Sequence, residues 1–183
     1  MGAWQELSSV ESSGVWDRFY DRFQFRPSVL PEQWPGIAEP EPSVTYRFEY
    51  PSDPGEVVDL HESALAAFRA CTPPGGRMLA LDWQHTSYWF SPHVSFEEWE
   101  RPDLRNEGFL PVQPIDFADL WLVPVFPNGD YSVFLAPDLS WGLFGHPWEQ
   151  TICVFGEALL AAFGARPPRL FRDVVRRSST TRD

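Results

Sequence analysis

Two short runs of the 183-residue chain carry side chains able to move protons, Asp82-Trp83-Gln84-His85 and His146-Pro147-Trp148-Glu149. A carboxylate that orients an imidazole is a standard arrangement for general acid–base catalysis. Along one continuous strand Asp82 and His85 would point to opposite faces, whereas a turn over Gln84-His85-Thr86 would bring both to one rim. In the second run, Gly142, Gly145 and Pro147 imply a tight backbone, and fixed loops at sheet ends are where functional side chains are positioned. His146 and Glu149 then read as a base and an acid, or as two polar hooks for a ligand stacked on Trp141 or Trp148. The plainer alternative is that Asp82 and His85 are satisfied by turn backbone, Trp148 plugs the core, and His146 and Glu149 cap neighbouring backbone.

The catalytic candidates are therefore His146, Asp82, His85 and Glu149. The candidate ligand-binding rings are Trp83, Tyr88, Trp89, Tyr131, Trp141 and Trp148, whose faces suit flat or cationic guests. Nine Trp and fifteen Phe are many for this length, and such rings either fill a thick core or line a pocket. No cofactor is expected. The chain has no Cys pair, no His-x-His and no His-Glu-x-x-His run; a metal would require His85, His93 and His146 to converge with Asp82 or Glu149. There is no Gly-x-Ser-x-Gly elbow and no dinucleotide fingerprint, and Gly75-Gly76-Arg77 lacks the spacing and Lys-Ser/Thr end of a phosphate loop. Cys71 and Cys153 sit in apolar runs without charged neighbours, as buried free thiols of a reduced compartment do.

The elements that must position these residues are written in periodicity and turn chemistry. Residues 1–13 read as a flexible lead-in, with Ser12 or Ser13 capping a helix to about Phe23 that carries Trp16, Phe19 and Phe23 on one side. Arg26 to Pro42 is proline-rich and irregular, pinned by Trp34 and Ile37, and Val44 to Tyr50 alternates as a strand does. Asp53, Pro54 and Glu56 open the next helix. Its apolar face is Val57, His61, Ala64, Leu65, Phe68 and Cys71, with His61 a hydrogen-bonded core histidine, and Pro73-Pro74-Gly75-Gly76 stops it. Met78 to Trp83 is a strand with a partner at Ser87 to Ser91. Ser95 with Glu98 opens a short helix over Phe96 to Arg101, and Pro102 to Pro114 is a long loop.

Asn128-Gly129 predicts a type I′ hairpin between Trp121–Phe126 and Tyr131–Ala136. Its register pairs Phe126 with Tyr131, Pro124 with Val133 and Val123 with Phe134, and leaves two apolar faces that both need covering. Thr151 to Phe155 is a strand, followed by a helix over Glu157 to Phe163. The last segment, 166–183, reads as a basic tail forming a helix from Pro168 that folds back on the body. The whole is an α+β pattern: one domain over 14–165 with a mainly antiparallel sheet of five or six strands and helices packed on it.

Charge narrows the partners. The formal net charge is −12 and all fourteen basic residues are Arg. Six Arg follow Ala165 against Asp173 and Asp183, so the tail is about +4 and the rest about −16. A body that acidic repels nucleic acid and anionic membranes. No apolar leader or membrane-length run is present, and a cytoplasmic location is expected.

The segments Trp16…Phe25-Arg26-Pro27, Trp34-Pro35-Gly36-Ile37, Asp82-Trp83-Gln84-His85 and Pro127-Asn128-Gly129-Asp130-Tyr131…Gly145-His146-Pro147-Trp148-Glu149-Gln150 resemble a family of bacterial proteins catalogued only as a domain of unknown function, over roughly residues 14–165. The resemblance implies no activity, cofactor or catalytic residue. The acidic body and terminal helix also look like small bacterial immunity proteins. Two functions follow as expectations. One is a small-molecule pocket protein for an apolar, aromatic or cationic ligand, acting as a cofactor-independent acid–base enzyme of isomerase, cyclase, lyase or hydrolase type. The other is a non-enzymatic domain whose acidic surface binds a basic protein partner.

Overall fold

The first helix begins where a serine can close its open N–H groups. In a computed structural model that describes residues 2–51, 53–99 and 117–179, that serine is Ser8 rather than Ser12 or Ser13. Its hydroxyl accepts the Glu11 N–H at 3.3 Å while the Glu11 carboxylate accepts the Ser8 N–H at 2.9 Å, a reciprocal capping box. Helix α1 therefore spans Ser9–Phe23, and Trp4–Glu6 before it forms strand β1. The stretch expected as a flexible lead-in is thus part of the fold.

The next elements are β2 (Ser43–Arg47), α2 (Pro54–Cys71), β3 (Met78–Asp82) and β4 (Tyr88–Phe90), then β5 (Ser132–Leu135), β6 (Gly142–His146), β7 (Thr151–Phe155), α3 (Glu157–Ala165) and β8 (Asp173–Ser178). Asp53 caps α2 by accepting the Gly55 N–H at 2.9 Å, with Pro54 in the first turn. The strands form one sheet in the order β1-β4-β3-β5-β6-β7-β2-β8, every neighbour antiparallel. The α+β class and antiparallel sheet are as the sequence implies, but the described residues hold eight strands rather than five or six. β1, β6 and β8 are additional, and Trp121–Phe126 is not a strand.

That last point corrects the hairpin. β5 has β3 on one side and β6 on the other, so no edge is left for Trp121–Phe126. Pro124 has no N–H to give a ladder, and the Val125 N–H is already donated to His61 Nε2 at 3.0 Å. Of the Asn-Gly pair only Gly129 has a positive φ, 97°, whereas a type I′ turn needs two. The pairings of Phe126, Pro124 and Val123 with Tyr131, Val133 and Phe134 do not form. β5 instead reverses into β6 over Ala136–Trp141, where the Ala136 N–H meets the Trp141 carbonyl at 3.0 Å and Leu139 takes φ 61°.

The tail is the second correction. No helix runs from Pro168. Phe171 stacks on Tyr46 with centroids 4.2 Å apart, and β8 then pairs with the outer edge of β2 through a bulge at Thr45/Tyr46. Val174 and Val175 are β-branched and favour a strand when an edge is open. Arginines of this segment pair with carboxylates of the body: Arg166 with Glu62, Arg169 with Asp53 and Asp59, Arg172 with Glu56, and Arg176 with Glu39 and Glu149.

Strand alternation sends successive side chains to two cores. Met78, Ala80, Phe134, Leu143 and Val154 meet α2 and α3, while Leu79, Leu81, Val133, Phe144 and Cys153 meet α1. His61 lies in the first layer with Nδ1 on the Val57 carbonyl at 2.8 Å, so both ring nitrogens are engaged. Near Ser95 the chain makes only a single 3-10 turn, Phe96–Glu98, with the Ser95 hydroxyl on Glu98 at 3.2 Å. The Pro102–Pro114 loop lies outside the described residues. No described helix is long and apolar enough to cross a membrane.

Candidate functional site

Register places a polar row across the apolar sheet. Asp82, the last residue of β3, faces Ser132 of β5, and Ser132 faces Gly145 of β6. Two residues from Ala80, Phe134 and Leu143 respectively, all three lie on the α2 face. Beyond β3 the chain turns at Gln84, with φ 65°, and the His85 N–H bonds back to the Asp82 carbonyl at 3.2 Å. The turn, not a continuing strand, brings Asp82 and His85 to one rim.

His85 Nδ1 lies 3.2 Å from the Trp83 carbonyl, 3.3 Å from Asp82 Oδ1 and 3.6 Å from Asp130 Oδ2. Because its hydrogen-bond partners are both oxygen acceptors, Nδ1 carries a ring proton. Asp82, His85, Asn128, Asp130 and Ser132 line a concavity of about 260 Å³. Of the residues that line it, Asp130 and Ser132 each have a buried side-chain oxygen, Oδ1 and Oγ, with no hydrogen-bond partner. Ser132 is 2% exposed. A buried polar atom without a partner costs about 1–3 kcal/mol, so the fold holds a carboxylate oxygen and a hydroxyl here at a loss. Gly145 makes the arrangement possible, since a Cβ there would stand 2.7 Å from Ser132 Oγ and 2.9 Å from Pro127. Burial raises the pKa of Asp82 and nearby Asp130 adds to the rise, against the opposing pull of His85.

His146 and Glu149 do not join this group. His146 is one residue beyond Gly145 and so projects to the α1 face. It is fully buried, and its Nδ1 accepts the Glu149 N–H at 3.0 Å. Its ring proton therefore sits on Nε2, which has no partner. A Cβ on Gly36 would lie 3.7 Å from that nitrogen. Tyr131 packs edge-on at 4.8 Å, with Trp34, Phe144 and Trp148 within 6.1 Å. Burial lowers the His146 pKa to about 4, although Glu149 pulls the other way; the imidazole is neutral at pH 7.

Burial would raise the Glu149 pKa, but hydrogen bonds from Arg176 and Thr151 outweigh it and hold the carboxyl below the usual range. Arg176 Nη2 stands 2.9 Å from Glu149 Oε2, and Nε 2.9 Å from Glu39. This knot ties β8 to the β6–β7 turn.

The six candidate rings divide between the two faces. Trp83 and Trp148 pack on Tyr131 at 5.5 and 5.0 Å, and the Tyr131 hydroxyl bonds the Ser28 backbone. Arg77 lies 4.2 Å over Trp89, whose N–H reaches Glu11. Across the sheet, Tyr88 meets Trp4 and Trp141 lies against Phe68. His93 Nε2 lies 2.7 Å from the Thr72 carbonyl, apart from both His85 and His146. No group of three or more His, Cys, Asp or Glu among the described residues is arranged to hold a metal. Burial raises the Cys153 thiol pKa to about 12.

Asp130 and Ser132 are the site residues that sequence reasoning missed. Ser132 carried a faint signal, a lone hydroxyl inside Tyr131-Ser132-Val133-Phe134-Leu135. Asp130 was hidden beside Asn128-Gly129, where an Asp reads as turn chemistry.

A family profile described as "Protein of unknown function (DUF2716)" matches residues 6–160. An "Uncharacterized protein YxiI" of Bacillus subtilis (strain 168) is 34% identical over 175 residues, covering 93% of this chain and 98% of that protein. No solved structure matches the chain.

Proposed function

We propose, for a chain that belongs to the DUF2716 family of proteins of unknown function, that it binds a small molecule bearing a positively charged nitrogen in the Asp82–His85–Asp130–Ser132 concavity. The observation that carries this reading is the pair of buried acceptors without donors, Asp130 Oδ1 and Ser132 Oγ. An ammonium or guanidinium group has N–H donors for both oxygens and a charge that two carboxylates favour. The rings that would grip an apolar guest pack on one another, which moves the ligand from apolar or aromatic to cationic. His85 Nε2 is the group placed to take a proton from such a ligand, with Asp82 and Asp130 stabilising the imidazolium. The chemistry is cofactor-free proton transfer. The alternative, a basic protein held by the acidic surface, has less charge to draw on, because tail arginines pair with Glu39, Asp53, Glu56, Asp59, Glu62 and Glu149.

Calorimetry with a panel of small primary amines at low salt tests the site. Wild type binds at least one, and Asp82→Asn or Asp130→Asn weakens it at least about 10-fold, the scale of one charge-assisted bond. Stability stays within about 1 kcal/mol, because each change removes a half-buried charge without altering shape. Equal binding by the Asp130→Asn protein, or none by wild type, overturns the reading.

Affinity also depends on pH with a defined sign. A cation binds best when Asp82 is ionised. Since burial raises the Asp82 pKa, binding weakens as pH falls while ordinary carboxylates are still charged. Affinity that is flat from pH 7 to 4 contradicts the role of Asp82.

A further inference from the structure

His85 is shared by two depressions. Besides the Asp82–Asp130 concavity, it borders a wider groove of about 490 Å³ between the start of α1 and the turn after β3, where Ser9, Ser12, Gln84 and Thr86 contribute polar side chains. The groove is built on fixed backbone. The Leu7 N–H bonds to the Ser87 carbonyl at 2.9 Å, the buried Ser87 hydroxyl accepts the Trp16 N–H at 3.3 Å, and the Ser8–Glu11 box holds the helix start. The chemistry of the two depressions differs. One has two carboxylates and the buried, unpartnered Ser132 hydroxyl; the other, apart from the shared His85, offers mostly hydroxyls and an amide, with one carboxylate, Glu6, at its far border. A volume of about 260 Å³ is below that of most metabolite sites, roughly 300–1,000 Å³. The groove, which meets it at His85, is itself within that range.

Resting on the cationic-ligand reading above, we propose that the substrate class is a polyhydroxylated amine of amino-sugar type. Its ammonium sits between Asp82, Asp130 and Ser132, and its hydroxyl-bearing body lies across His85 on Ser12, Gln84 and Thr86. Hydroxyls and a side-chain amide both donate and accept, and so match a ligand whose ring hydroxyls do the same. An alkyl ring of equal size would strip water from these groups and give no bond in return. His85, between the charged end and the hydroxylated body, faces the carbon next to the nitrogen or its hydroxyl.

Calorimetric titration with D-glucosamine, cyclohexylamine and D-glucose separates this proposal from the reading beneath it. D-glucosamine is expected to bind at least about 10-fold tighter than cyclohexylamine, the worth of one or two net hydrogen bonds, and D-glucose not to bind. The double variant Ser12→Ala/Thr86→Val is expected to bring D-glucosamine down to the cyclohexylamine level, while Asp130→Asn weakens both amines. Cyclohexylamine binding as tightly as D-glucosamine, or a double variant that keeps the difference, overturns the substrate class and leaves the cation site standing. Binding of neither amine, or of D-glucose as well as D-glucosamine, overturns both.

Discussion

His146→Ala is expected to cost the fold about 3–5 kcal/mol, as aromatic-to-alanine truncations in a packed core do, while amine binding at the rim is unchanged. The imidazole is fully buried among Tyr131, Trp34, Phe144 and Trp148. Truncation opens a hole between rings that cannot collapse, and it removes the acceptor of the Glu149 N–H. Urea denaturation measures the loss. The same residue sets a pH dependence. With a folded pKa of about 4 against 6.5 in the unfolded chain, the unfolded state binds the proton that the native state refuses. Its contribution is complete above pH 6.5 and is lost as pH falls toward 4, by about 3 kcal/mol at one unit per 1.36 kcal/mol. In the variant this slope is absent. A His146→Ala protein that keeps wild-type stability and loses ligand binding would return His146 to the candidate site.

Arg176→Met is the second large effect, about 2–4 kcal/mol, below the figure for a fully buried pair because the arginine side chain is 33% exposed. The loss comes from what stays behind. Glu149 and Glu39, with side chains 9% and 14% exposed, are left facing each other's charge without a cation. Adding Glu39→Gln and Glu149→Gln to Arg176→Met should recover most of the loss, since the penalty belongs to stranded charge and not to packing. Hydrogen exchange should show early release of the Asp173–Ser178 amides in the single variant. An unchanged denaturation midpoint would mean that β8 is not held by this knot.

What could be read from the residues follows the range of the forces involved. Asp53-Pro54 at the start of α2, the stop at Pro73-Pro74-Gly75-Gly76 and the β-branched run Thr151–Phe155 depend on neighbours in sequence, and all three are where local chemistry puts them. The hairpin depended on competition. Asn128-Gly129 favours a turn, but β3 and β6 occupy both edges of β5 and His61 takes the Val125 N–H. In the tail, Leu170, Phe171, Val174 and Val175 fit a helical face or a strand, and the open edge of β2 decides. The site divides in the same way. Asp82 and His85 come together through one turn at Gln84, which the residues suggest. Asp130 and Ser132 join them only through the β3–β5–β6 register. Whether His146 faces the same way as Asp82 depends on parity across two strand crossings, and no local pattern records that.

The most direct measurement is an amide chemical-shift map of the ¹⁵N-labelled protein during titration with D-glucosamine at low salt. Saturable shifts concentrated at residues 82–87 and 128–132, and needing at least about 10-fold more ligand in Asp130→Asn, are the result expected of a cation site at the Asp82–His85 rim. Shifts centred on the buried His146–Trp148 cluster, or small unsaturable shifts spread over the exposed carboxylates, would contradict it.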